Sequence, residues 1–82
     1  MTTFIVKIKT PFNGLLEFYF ASIETIHGKK YFVTTVDKEI KSHVFYMRKV
    51  DGYWRIDTSA HTIQKWIMDL EIDLAGLIQL KG

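Results

Sequence analysis

The sequence predicts a single α+β domain, in which an antiparallel sheet of about five strands is covered on one side by a C-terminal amphipathic helix. Up to Asp57 the chain alternates apolar and polar residues and carries turn signals at regular intervals. After Asp57 the apolar residues recur every three or four positions, as they do in a helix. With 82 residues, 48% of them hydrophobic, the chain is long enough for one core and one domain.

The five predicted strands are rich in β-branched and aromatic residues and are separated by clusters of turn-forming residues. They cover residues 3–10, 15–25, 29–36, 40–50 and 53–57, and the predicted helix covers residues 60–79.

The Asp51-Gly52 pair gives the clearest hairpin signal, because a two-residue type I′ turn needs positive φ at both central positions. Such a turn places Val50 opposite Tyr53. The register that follows puts Phe45, Met47, Trp54 and Ile56 on one side of the sheet, and Tyr46, Arg48, Tyr53 and Arg55 on the other.

The first hairpin is predicted to turn through a three-residue loop, Phe12–Gly14, with the glycine in the left-handed conformation. This loop opposes Ile8 to Phe18 and Lys9 to Glu17, so that apolar residues meet and opposite charges meet. A two-residue loop would oppose apolar residues to charged ones, and we prefer the longer loop.

The next two connections are predicted at His27-Gly28 and at Asp37–Glu39, and both keep the alternation in phase. The resulting sheet has one apolar side, which we expect to form the core. Its residues are Phe4, Val6, Ile8, Leu16, Phe18, Phe20, Tyr31, Val33, Phe45, Met47, Trp54 and Ile56.

The predicted helix begins after Thr58 or Ser59, either of which can serve as its N-cap. Its apolar stripe, expected to cover the core, consists of Ile63, Trp66, Ile67, Leu70, Leu74, Leu77 and Ile78. Two further groups are expected to lie outside the core, a small apolar stripe of Met68, Ile72 and Ala75 and a solvated acidic group of Asp69, Glu71 and Asp73.

The side of the sheet opposite the core, which we call the open face, is unusually apolar for a solvated surface. It carries four aromatic residues and several β-branched aliphatic residues among five basic residues and one glutamate. The residues predicted to bind a partner there are Lys7, Lys9, Tyr19, Phe32, Tyr46, Arg48, Tyr53 and Arg55.

Three interpretations of the open face compete. It is an ordinary half-solvated sheet surface, a contact with a second copy of the chain, or a platform for single-stranded nucleic acid on which rings stack bases and cations contact phosphates. The order of strands followed by a helix resembles, in topology, the single-stranded nucleic-acid binders of the PUR-repeat and whirly type. We favour a non-enzymatic homodimeric binding or assembly module and keep nucleic-acid binding as the alternative.

The sequence shows no motif for catalysis, for a metal or for a cofactor, and we predict none of them. His27, His43 and His61 are too widely spaced for a ligand motif, and His43 is expected to be a hydrogen-bonded histidine at the edge of the core. The chain has no cysteine, no signal-peptide pattern and no apolar run long enough for a membrane span. We therefore expect a cytoplasmic protein that does not enter membranes.

Overall fold

A computed structural model describes residues 2–59 and 62–82, and it confirms the predicted fold class. Five antiparallel strands form one curled sheet in chain order, with the helical segment packed against one side. The elements are β1 (Thr3–Thr10), β2 (Gly14–Thr25), β3 (Gly28–Val36), β4 (Ser42–Val50), β5 (Tyr53–Ile56), α1 (Lys65–Met68) and α2 (Glu71–Lys81).

The turn between β4 and β5 is the predicted one. Asp51 and Gly52 have φ of 52° and 86°, as a type I′ turn requires, and Val50 pairs with Tyr53. All the pairs predicted from this turn are therefore confirmed.

The turn between β1 and β2 differs from the prediction. Ile8 pairs with Leu16, two residues before its predicted partner, and the loop consists of residues 11–13. Thr10 explains the shift, because its hydroxyl donates to the Gly14 carbonyl at 2.7 Å and accepts from the Asn13 N–H at 3.1 Å. The threonine side chain thus closes the turn one residue earlier on each strand.

The other two connections also differ from the prediction by two residues in register, one turn being earlier and the other loop longer. Thr25 closes the β2–β3 turn with bonds to the Gly28 carbonyl and the His27 N–H, so the turn lies one residue earlier than predicted. The β3–β4 connection spans five residues, 37–41, and Ile40, predicted to begin β4, lies inside it with φ of 64°. A shift of two residues preserves the side of the sheet to which every side chain points.

The core forms on the predicted side of the sheet. Of the twelve predicted core residues, four on the edge strands, Phe4, Val6, Ile8 and Trp54, are only partly buried. The buried apolar residues are Leu16, Phe18, Phe20, Tyr31, Val33, Phe45, Met47, Ile56, Ile67, Leu70, Leu74 and Ile78.

The predicted single helix is shorter and is interrupted. Its first predicted residues, 60 and 61, lie outside the described residues, and α1 begins only at Lys65, with Gln64 as its N-cap. Ser59 does not cap a helix, since its N–H and hydroxyl both bind the Asp57 carboxylate. A tighter turn, in which the Leu70 N–H donates to the Ile67 carbonyl at 2.9 Å, separates α1 from α2 and lets both bury apolar residues against the sheet.

The outer surface of the helices also differs from the prediction. Met68 and Ala75 pack against the core, whereas Ile72 is 85% exposed and Leu77 is half-buried. In the described part of the chain, the helices are all too short or too polar to cross a membrane.

Candidate interaction surface

All eight predicted binding residues lie on the open face, the side of the sheet away from α1 and α2. The register does not bring them into one patch. Lys7, Lys9 and Tyr19 lie on β1 and β2, whereas Arg48, Tyr53 and Arg55 lie on β4 and β5, with Phe32 and Tyr46 between the two groups. The open face therefore has two parts, with different chemistry.

The part nearest β1 is apolar. Ile5 pairs with Tyr19, and with Leu15 and Val36 these residues border a shallow groove; we call these four residues the apolar cluster. Their exposed fractions are 59% for Ile5, 62% for Leu15, 41% for Tyr19 and 50% for Val36. Four large apolar side chains this exposed and this close together are typical of a surface that contacts another protein.

The charges beside the apolar cluster partly offset one another. Lys7 pairs with Glu17, which the sequence predicted to pair with Lys9. Lys9 instead lies opposite Leu15. Opposite charges on directly paired positions attract, so Glu17 offsets Lys7 and the remaining charge of this part is that of Lys9.

The part nearest β5 is basic. Lys30, Arg48 and Arg55 lie directly opposite one another on three neighbouring strands, and we call them the basic row. Each arginine has a carboxylate nearby, Asp57 at 4.0 Å and Glu71 at 3.8 Å, but the two arginine side chains are 59% and 61% exposed. Contacts that long and that exposed are weak, so the repulsion between paired cations is only partly compensated.

Two aromatic rings lie beside the basic row. The centroids of Phe32 and Tyr46 are 5.4 Å apart at an angle of 53°, and both side chains are half-buried on the sheet. The Lys30 Nζ lies 4.3 Å from the centre of the Tyr46 ring, within the range of a cation–π contact. Tyr53, at the far end of β5, is 70% exposed.

Asp57, which follows β5, is, like Glu71, an acidic residue beside the basic row. Hydrogen bonds from Ser59 lower its pKa, and the charges of Arg48 and Lys30 lower it further. Its ionised carboxylate therefore holds the chain after β5 and faces the cations at the same time.

The two edge strands of the sheet differ in what covers their outward peptide groups. At β5 the outward N–H of Ile56 donates to the Glu71 Oε2 of α2 at 2.8 Å. Glu71 is thus a hydrogen-bond acceptor at the edge of the sheet and not the solvated residue that the sequence predicted. At β1, no strand in residues 2–59 or 62–82 pairs with the outer edge.

His43 has the structural environment that the sequence predicted. Its Nε2 lies 2.8 Å from Asp37 Oδ2, and the edge of its ring meets Trp66 with the ring centroids 5.3 Å apart. The His43 hydrogen bond is the main reason that the pKa of Asp37 is lowered, and the Lys41 N–H adds to the effect. Together these contacts fasten the β3–β4 loop to α1. His27 is exposed in its turn, and His61 lies outside the described residues.

A groove on the helix side holds a polar group that sequence reasoning missed. The Tyr31 hydroxyl is buried beside Gly82 and has no hydrogen-bond partner among the described residues. The Lys29 Nζ lies 5.9 Å from the Tyr31 ring, and the Lys49 Nζ lies 5.9 Å from the Trp54 ring. No sequence signal distinguishes this tyrosine from its apolar neighbours in the core pattern.

Among residues 2–59 and 62–82, no three histidine, aspartate or glutamate side chains are placed to hold a metal ion. Comparison of the chain with protein-family models, with curated protein sequences and with solved structures finds no match in any of the three.

Proposed function

We propose that the protein is a non-enzymatic binding or assembly module that forms a homodimer through the β1 part of its open face. The observation that carries this proposal is the apolar cluster, Ile5, Leu15, Tyr19 and Val36, whose side chains are 41% to 62% exposed. Burying apolar surface stabilises association by about 25 cal/mol per Å², and a small domain gains a larger effective core when it associates.

The distribution of charge favours the β1 part over the whole face as the contact. Two open faces stacked in full would bring the basic row, Lys30, Arg48 and Arg55, toward the cations of a second copy. At the apolar cluster Glu17 lies opposite Lys7, and only Lys9 adds a further charge, so two copies meet there with less repulsion than at the basic row.

Light scattering coupled to size-exclusion chromatography tests the homodimer. We expect twice the chain mass at micromolar concentrations, and a shift toward monomer when Ile5→Lys places a charge at the β1 residue of the apolar cluster. Ile72→Lys is the matched control, because Ile72 is also exposed and apolar but lies on α2. A wild-type chain that stays monomeric at high concentration contradicts the proposal.

Single-stranded nucleic acid is the second candidate partner, favoured by one specific observation. The partly compensated basic row lies next to the Phe32 and Tyr46 rings, which is the combination that binds phosphates and stacks bases. It is a separate hypothesis from the dimer, because it uses the other part of the open face.

Titration of a labelled single-stranded oligonucleotide at two salt concentrations tests this candidate. Binding that weakens steeply with salt, and falls for Arg48→Ala and Tyr46→Ala but not for Lys38→Ala in the β3–β4 loop, would support it. If the oligonucleotide does not bind at low salt, the candidate is wrong.

We also propose a cytoplasmic location for the module. A domain that contains no cysteine needs no disulfide, which fits a reducing compartment. Fractionation of the cells that express the protein tests this.

A further inference from the structure

The outer edge of β1 offers a regular row of peptide groups. The Ser22 N–H donates to the Thr2 carbonyl at 2.8 Å, and Thr2 continues the β1–β2 register by one position. Because hydrogen-bonded pairs alternate along an antiparallel ladder, the even-numbered residues of β1 direct their peptide groups toward β2. Those of the odd-numbered residues, Thr3, Ile5, Lys7 and Lys9, point away from the sheet.

The outward peptide groups of β1 can all pair with those of β1 in a second copy, but only in one register. If β1 pairs with the β1 of a second copy about a two-fold axis at Val6, then Ile5 opposes Lys7 and Thr3 opposes Lys9, so all four outward residues are paired. An axis at Ile5 leaves Lys9 outside the ladder, and an axis at Lys7 opposes Lys7 to its own copy. The register centred on Val6 thus uses the whole strand and keeps the lysines apart.

The side chains on both sides of β1 also suit this register. On the helix side Phe4, Val6 and Ile8 are only partly buried, although their partners on β2 lie deep in the core. The same two-fold axis opposes Phe4 to Ile8 of the second copy and Val6 to its own copy, so apolar residues meet across the junction. On the open face, Ile5 extends the apolar cluster to the strand edge.

The opposite edge of the sheet is already occupied by the chain itself. β5 has only four residues, and the Glu71 carboxylate takes the outward N–H of Ile56. Short strands and covered peptide groups prevent edge-to-edge pairing, whereas β1 has eight residues and neither feature.

Taking these steps together, and resting on the proposed homodimer, we infer that two chains join along β1 in antiparallel register centred on Val6, forming one continuous ten-stranded sheet. The dimer contact is then an edge-to-edge junction, in which the second chain covers Ile5 of the apolar cluster on one side of β1 and Phe4, Val6 and Ile8 on the other. The basic rows lie at the two far ends of that sheet, where they do not oppose one another.

Disulfide trapping tests the register, and it is free of background because the wild-type chain has no cysteine. In the inferred dimer the two copies of Val6 form a non-hydrogen-bonded pair, with Cα atoms about 4.5 Å apart, which a disulfide can bridge. We expect most of a Val6→Cys variant to become a covalent dimer under mild oxidation.

Ile8→Cys is the matched control. Ile8 lies on the same side of β1 and is also partly buried, but its two copies are four residues apart along the junction, about 13 Å. Alone it should stay monomeric after oxidation, whereas mixed with a Phe4→Cys variant it should form the covalent heterodimer. That third result separates a defined register from random collision.

The outcomes distinguish this inference from the proposed function. A wild-type dimer in light scattering whose Val6→Cys variant does not cross-link, or whose Ile8→Cys variant cross-links equally well, overturns the β1 register and leaves the homodimer in place. A monomeric wild-type chain overturns both. Dimerisation with selective Val6→Cys linkage supports both.

Discussion

The two edge strands of the sheet are built in opposite ways. β5 is short, and α2 covers it with the Glu71 carboxylate, which accepts from the Ile56 N–H and lies 3.8 Å from Arg55. β1 is twice as long, has partly exposed apolar residues on both sides, and directs four residues' peptide groups outward. This domain therefore protects one edge with its own helix and leaves the other suited to a partner.

We expect the two ends of the sheet to contribute very different amounts to the stability of the fold. Leu74 is fully buried where α2 holds β5, so Leu74→Ala should lower the free energy of unfolding by about 2–5 kcal/mol. Ile8→Ala on β1 should cost about 1–2 kcal/mol, because Ile8 is already partly exposed. Urea denaturation at a concentration where the protein is monomeric measures both, and equal losses would show that β1 is as well covered as β5.

A smaller effect is expected from uncovering the β5 edge. Glu71→Ala leaves the Ile56 N–H without its acceptor and should lower the free energy of unfolding by about 1–3 kcal/mol. Glu71→Gln keeps an acceptor oxygen at the same distance and should cost less than Glu71→Ala. If the two variants denature at the same urea concentration, the hydrogen bond does not stabilise the edge.

The smallest expected effect is on the stability of the fold at low pH. The pKa of Asp57 is lowered in the folded protein, so its carboxylate stabilises the fold at pH above its unfolded value of about 4. That contribution is lost as the pH falls through the lower folded value. β1 contains no acidic residue, so amide exchange below pH 4 should accelerate after β5 more than along β1, and Asp57→Asn should remove the difference.

The sides of the strands could be predicted from the sequence, but their pairing could not. Alternation alone assigns Phe18, Val33 and Phe45 to the core, and Asp51-Gly52 fixes its own turn because few residues accept positive φ. The β1–β2 and β2–β3 turns depend on the hydroxyls of Thr10 and Thr25, whose bonds close each hairpin one residue earlier on each strand. A shift of two residues changes no side-chain face, so the apolar pattern contains no information against it.

For the helices and the open face too, the sequence predicts which residues are apolar but not how the chain brings them together. The apolar spacing identifies Ile67 and Leu74 as core residues but does not reveal the interruption between α1 and α2, which depends on how the helices fit the sheet. Glu71 looks like any acidic helix residue until the chain brings it beside Ile56. The open face was predicted as one surface, and its division into the apolar cluster and the basic row follows only from the true register.

The order of the strands in the sheet has a consequence for how the protein reaches this structure. Every strand pairs with its neighbours in the chain, so each hairpin closes a short loop and can form locally as the polypeptide emerges. The helices come after all five strands, which leaves Phe18, Phe20 and Phe45 uncovered until they arrive. The chain is therefore most prone to aggregation before α2 docks, while the aromatic side of the sheet is exposed to solvent and can bind other unfolded chains.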